Sequence, residues 1–133
     1  VHDYLTVGAA SPLQEAAVTG LRFGDEYYTW LRDLYTDRRN LMLKGLRDIG
    51  LKHTEPQGAY YIMVDISDFG YASDTEFCED LAKYVGVGAV PGSAFFHENI
   101  TSYMRLHFAK NRETLEEALE RLKGIYKKMP VRK

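Results

Sequence analysis

Tyr103-Met104-Arg105-Leu106-His107-Phe108-Ala109 alternates in character from residue to residue without a break. A period of two puts Met104, Leu106 and Phe108 on one face of a strand and Tyr103, Arg105, His107 and Ala109 on the other. The first set is the core face. An arginine in the middle of a short strand lowers strand propensity, and it must reach solvent or find an anion. Its guanidinium forks onto a carboxylate through two parallel hydrogen bonds, so a fixed strand is a good mount for recognising one. Spacing by itself favours the plainer reading, a solvated arginine on an open sheet face.

The segment upstream shifts that balance. It reads Val85-Gly86-Val87-Gly88-Ala89-Val90-Pro91-Gly92-Ser93-Ala94-Phe95. Pro91-Gly92 forces a sharp turn, and Gly92 lets another chain or a ligand approach the backbone closely. Phe95 and Phe96 set aromatic surface beside the turn. No Lys-Ser/Thr pair follows, so the glycines do not form a phosphate-binding P-loop.

Working outward, Val87 to Val90 is predicted as a short strand halted by Pro91-Gly92. Ala59 to Ile66, after the turn Glu55-Pro56-Gln57-Gly58, is a nearly unbroken aromatic and β-branched run and reads as a buried central strand. Ser73 with Glu76 makes a capping box, and Phe77, Leu81 and Val85 supply the apolar stripe of the helix it opens. Cys78 falls on the inner side of that helix. Leu115, Leu119, Leu122, Tyr126 and Met129 mark a closing amphipathic helix, with Glu117 and Arg121 as a supporting i,i+4 pair.

Toward the N-terminus, Ser11 is expected to cap a helix, with Pro12 in its first position and Gln14 completing the box. Leu13, Ala16, Ala17, Gly20 and Leu21 form a stripe of mostly small residues that should pack closely against a neighbour. Gly24 ends this helix. Asp25 opens a second that runs to about Ile49 and stops at Gly50, with Tyr27, Leu31, Leu34, Met42, Leu46 and Ile49 inside. Roughly twenty-five residues is about twice the usual helix length, which suggests a connector between two domains. The fold class expected is α/β, close to α+β: a small, largely antiparallel sheet covered by helices, with a long N-terminal connector helix. Residues 1–24 look like the edge of another domain, and residues 25–133 like a domain in their own right.

A chain of 133 residues with 45% apolar and 27% charged residues can build a core without metal or disulfide staples. A net charge of −2 leaves no basic excess, which argues against nucleic-acid binding by counterion release. Lys127, Lys128, Arg132 and Lys133 read as a solvated tail. The single cysteine, Cys78, excludes an internal disulfide and fits a reducing, cytoplasmic compartment, and it reads as a buried inert thiol. No apolar run reaches the length of a membrane span. His97-Glu98 has no partner at metal-ligand spacing, so no metal site is expected.

Three motifs in order resemble the class I and II aminotransferases of the pyridoxal-phosphate fold-type-I superfamily. Gly58-Ala59-Tyr60-Tyr61 is similar to the family's Gly-Ala-Phe-Tyr. Val87 to Phe95 is similar to its V-x-V-V-P-G-S-x-F loop, and Tyr103 to Ala109 to its Y-x-R-L-S-F-A strand. The resemblance covers nearly the whole chain. It implies that Arg105 holds the α-carboxylate of an amino-acid substrate. It also implies that Val90, Pro91, Gly92 and Phe95 line the cleft. The opening segment, Tyr4 to Pro12, is similar to family sequence near the dimer interface and the cofactor end of the cleft.

The family's Schiff-base lysine, the aspartate at the pyridine nitrogen and the aromatic residue on the cofactor ring all precede the region covered here. No lysine here stands in the family's Ser-x-x-Lys context, and Lys44, Lys52, Lys83 and Lys110 read as surface charges. His107 stands where the family has a small polar residue and reads as a sheet-face histidine. The resemblance therefore implies the C-terminal portion of an aminotransferase, homodimeric in its complete form. This portion would have no catalytic or cofactor-binding residue of its own and no activity alone. Two alternatives stay open. The parent could be a lyase or synthase of the same superfamily, or the chain could be a free-standing carboxylate-binding or interaction domain.

Overall fold

The computed structural model describes residues 8–130. In chain order they form α1 (Ser11–Leu21), α2 (Asp25–Ile49), β1 (Tyr61–Asp65), a 3-10 turn (Ser67–Phe69) and α3 (Asp74–Asp80). A π turn (Leu81–Val85), β2 (Val90–Pro91), a second 3-10 turn (Gly92–Phe95), β3 (Tyr103–His107), α4 (Arg112–Leu122) and α5 (Ile125–Lys128) complete it. The chain divides into two compact units, Val1–Leu34 and Tyr35–Lys133, and α2 runs across the division.

In the first unit, α1 is capped at Ala10, not at Ser11, and no side chain bonds its free N–H groups. Gln14 instead donates through Nε2 to the carbonyl of Ala9 at 2.6 Å. The small-residue stripe is not covered as expected: Leu13 is 69% and Leu21 80% exposed, and Ala16 and Ala17 are exposed too. Tyr27, placed inside by its helical spacing, is exposed as well. Its ring instead meets Phe23 at 4.6 Å and Trp30 at 5.8 Å between centroids. The i,i+3 spacing that simulates a core stripe also brings Tyr27 and Trp30 together on one helix, and Phe23 joins them from just before it.

The second unit holds the core. Met42, Leu43 and Leu46 enter it from α2, which ends where Gly50 turns left-handed at φ 87°, a conformation glycine adopts without strain. The sheet is antiparallel in the order β1-β3-β2. Ile62 and Val64 of β1 and Met104 and Leu106 of β3 are buried, together with Phe108 just beyond. Phe77, Leu81 and Val85 join them, as do Leu115, Leu119 and Leu122 of α4.

The central strand is β3, and β1 lies beside it. The expected central run is half-buried in alternation, because Tyr61 and Met63 lie on the outer face. Its far edge is occupied: Asp65 N–H donates to the carbonyl of Lys52 and Thr54 N–H to that of Met63, both at 2.9 Å. The second strand falls later and shorter than expected, at Val90–Pro91. Pro91 is tolerated within it because β2 is an edge and needs no further N–H donor. The closing helix breaks at Lys123-Gly124 and resumes at Ile125. The offset buries Ile125 in place of Tyr126, whose ring stacks on Phe69 at 5.2 Å.

Candidate functional site

The period of two in β3 works as the sequence indicates. Met104 and Leu106 are buried, while Tyr103 and Arg105 are half-buried on the opposite face and His107 is exposed. Arg105 sits on the central rung, opposite Met63 of β1 and Val90 of β2. Its guanidinium carbon lies 3.9 Å from the centroid of the Phe95 ring and 5.0 Å from that of Tyr61. Both are cation–π distances. Among the described residues no carboxylate is at ion-pair distance from Arg105; the acids with arginine partners serve Arg32, Arg47, Arg112 and Arg121.

The loop that brings Phe95 there is fixed at successive residues. Val90 and Pro91 pair with Arg105 and Met104 in the ladder. Gly92 is buried because β3 passes over it: a Cβ at this position would stand 2.6 Å from the Tyr103 carbonyl oxygen. What approaches the glycine backbone is thus the protein's own central strand. Ser93 then donates its N–H to Asp74 Oδ2 at 2.6 Å and its hydroxyl to Asp74 Oδ1 at 3.0 Å. The Gly92–Phe95 turn ends with Phe95 about half exposed, at 50%. The structure therefore brings Val90, Pro91, Gly92, Phe95 and Arg105 together, and adds Tyr61.

Asp74 is the residue that the sequence reading missed. It is 1% exposed, yet it stands directly after the Ser73 cap, where an acid is explained by the helix dipole alone. That explanation masks its partner, which lies nineteen residues on. The cap itself is as expected: Ser73 Oγ accepts from Thr75 N–H at 3.2 Å and from Glu76 N–H at 3.5 Å.

The remaining candidates lie elsewhere. Cys78 is buried, and burial, with a smaller contribution from Asp74, pushes its thiol up to about 11. A thiol so placed is a poor nucleophile. Lys44 pairs with Asp48 at 2.7 Å, Lys52 with Asp68 at 3.0 Å, and Lys83 lies over Tyr84 at 4.8 Å. Lys110, His97 and Glu98 are exposed. Among the described residues no three His, Cys, Asp or Glu side chains group as metal ligands, and no helix is long and apolar enough to cross a membrane. Residues 4–7 of the Tyr4 to Pro12 segment, and Arg132 and Lys133 of the basic tail, lie outside the described residues.

Residues 2–122 match the family model of aminotransferase class I and II. The chain is 36% identical over 126 residues to a methionine aminotransferase of Escherichia coli, covering 94% of this chain and 33% of that protein. It is 40% identical over 120 residues to aromatic-amino-acid aminotransferase 2 of Thermococcus litoralis, covering 86% and 30%. Among solved structures it resembles N-succinyldiaminopimelate aminotransferase of Mycobacterium tuberculosis, with a TM-score of 0.79 and 34% identity over 91% of this chain and 32% of that one. The chain thus spans about a third of the length of the curated relatives it matches.

Enzymes of this family depend on pyridoxal phosphate, take amino acids and 2-oxo acids as substrates, and are usually dimeric. The cofactor needs an amine for its aldehyde carbon, an acid for its ring nitrogen and donors for its phosphate. The side chains against the Arg105 guanidinium are the aromatic rings of Phe95 and Tyr61, which supply neither that amine nor that acid, so these residues do not fit the cofactor. The described residues do carry the family's strand and loop in the family's order, and the chain belongs to the class I and II aminotransferases.

Proposed function

We propose that this chain furnishes the small-domain wall of a pyridoxal-phosphate-dependent aminotransferase, with Arg105 gripping the α-carboxylate of the amino-acid substrate. Val90, Pro91, Gly92 and Phe95 line that wall. One observation carries the reading: Arg105 is held between Phe95 and Tyr61 with no carboxylate partner among the described residues. Aromatic faces attract the cation but offer no lone pair in the plane of its five N–H donors. The result is a positioned guanidinium whose strong hydrogen bonds are left for an anion, and a carboxylate fits that fork in two-point fashion.

The relatives support a clamp for a group that all amino acids share. Proteins named for methionine, aromatic amino acids and N-succinyldiaminopimelate all match this same stretch. Choice of side chain would then rest with residues outside it. In this reading the chain orients the substrate, which lowers the entropy cost of reaction. The cofactor, held by residues beyond this chain, supplies the bond-breaking chemistry. The complete enzyme would move an amino group to a 2-oxo acid as a cytoplasmic homodimer. The lone buried thiol fits a reducing compartment. By itself the chain would be inactive.

The test uses the complete polypeptide, a panel of amino acids and 2-oxoglutarate. Arg105→Ala is expected to cost about 2–4 kcal/mol of transition-state stabilisation, or ~30- to ~1,000-fold in kcat/KM. Arg105→Lys should recover only part, because an ammonium lacks the fork. Unchanged kcat/KM in Arg105→Ala would remove Arg105 from the role.

A further inference from the structure

We infer that Asp74 is a positioning residue for the carboxylate-binding arginine, acting through Ser93 and Phe95. The inference rests on the proposed role of Arg105 and goes beyond it, because Asp74 lies on a different element and its carboxylate accepts from Ser93, not from the guanidinium.

Three observations lead there. Asp74 is 1% exposed, and a carboxylate taken out of water is costly unless its oxygens are satisfied. Both oxygens are satisfied by one residue, Ser93, through its N–H at 2.6 Å and its hydroxyl at 3.0 Å. A buried acid that serves a single residue of another segment fixes that segment's position. Second, Ser93 sits inside the short Gly92–Phe95 turn, so the turn is held at Gly92 by the close passage of Tyr103 and at Ser93 by the acid. Third, the ring two residues later is half exposed and so is not seated by core packing. Its 3.9 Å contact with Arg105 depends on where the turn's backbone stands. Removing the acid frees the turn, the ring leaves the guanidinium, and the fork loses one wall of its mount.

A core role for Asp74 would lower stability without regard to what the substrate carries. A positioning role is specific to the α-carboxylate, and that difference makes the test. In the complete holoenzyme, single-turnover rates are measured with L-methionine and with 3-(methylthio)propylamine, which lacks the carboxylate. If the amino-acid panel selects another substrate, its own acid-and-amine pair is used. Asp74→Ala and Ser93→Ala are expected to reduce the preference for the acid over the amine by on the order of tenfold or more, the scale of a small misplacement of a binding group. Ser93→Thr, which keeps both donors, should restore it.

A second readout is independent of turnover. The Arg105 guanidinium protons, read by NMR in protein labelled with 15N-arginine, should show a ring-current shift from Phe95. That shift should be lost in Asp74→Ala and Ser93→Ala and retained in Ser93→Thr. Equal losses on acid and amine, or an unchanged ring-current shift in both alanine variants, would overturn the inference while leaving Arg105 in place. If Arg105→Ala itself leaves the acid-over-amine preference intact, the clamp fails first and Asp74 falls with it.

Discussion

At Gly92, a methyl group would meet the carbonyl oxygen of Tyr103 at 2.6 Å and its Cβ at 2.8 Å. Neither atom can retreat, because Tyr103 is the first residue of the central strand. Gly92→Ala should therefore destabilise the chain by about 1–3 kcal/mol, the cost of forcing an extra methyl into a packed site. Equilibrium urea unfolding checks this, and an unchanged midpoint would mean that β3 shifts freely. The Pro91-Gly92 turn is legible in the sequence because those two residue types restrict and relax the backbone in known ways. Its neighbour is not legible, since the approach comes from a strand eleven residues later. Asp74 and Ser93 show the same limit from the other side. A local rule explains the acid, so nothing in the sequence calls for a distant partner.

Elements were easier to read than their arrangement. The bounds of α2, from Asp25 to Ile49, follow from an acidic first turn and a terminal glycine, both local signals. The face of β3 follows from strict alternation. Which strand is central does not follow, because a Tyr or Met on an outer face counts as apolar in the sequence. The β1 end also carries a pH-sensitive contact. Asp65 accepts from Ser67 N–H at 2.9 Å at the start of the 3-10 turn. Hydrogen bonds from Ser67, with Lys52 adding to them, hold its carboxyl below the ordinary range. With a folded pKa below the unfolded one, the contribution is complete above about pH 3.9 and is lost as pH falls through the folded value. Asp65→Asn should therefore lower stability at neutral pH and converge on the unsubstituted protein at low pH, which flattens the acid side of a stability–pH profile. Urea midpoints between about pH 2.5 and 5 test it, and parallel acid limbs in the two proteins would sink it.

At the scale of the molecule, the chain has two compact units and about a third of the length of its relatives. The second unit gathers the core and the arginine, whose ring partners Phe95 and Tyr61 offer neither the amine nor the acid that the family's cofactor takes. The 133-residue chain, supplied with pyridoxal phosphate, an amino acid and 2-oxoglutarate, should therefore give no transamination. Product formation above the protein-free rate would contradict this. One irregularity closes the helix that precedes β2. The turn Leu81–Val85 is π-helical, with Gly86 N–H reaching the Leu81 carbonyl at 3.0 Å. An α-helix continued through the same stretch would deliver its last residue about 100° out of step for the one residue gained. The wide coil thus accommodates one more residue than an α-helical turn before Gly86, left-handed at φ 79°, closes the helix and residues 86–89 lead the chain into β2.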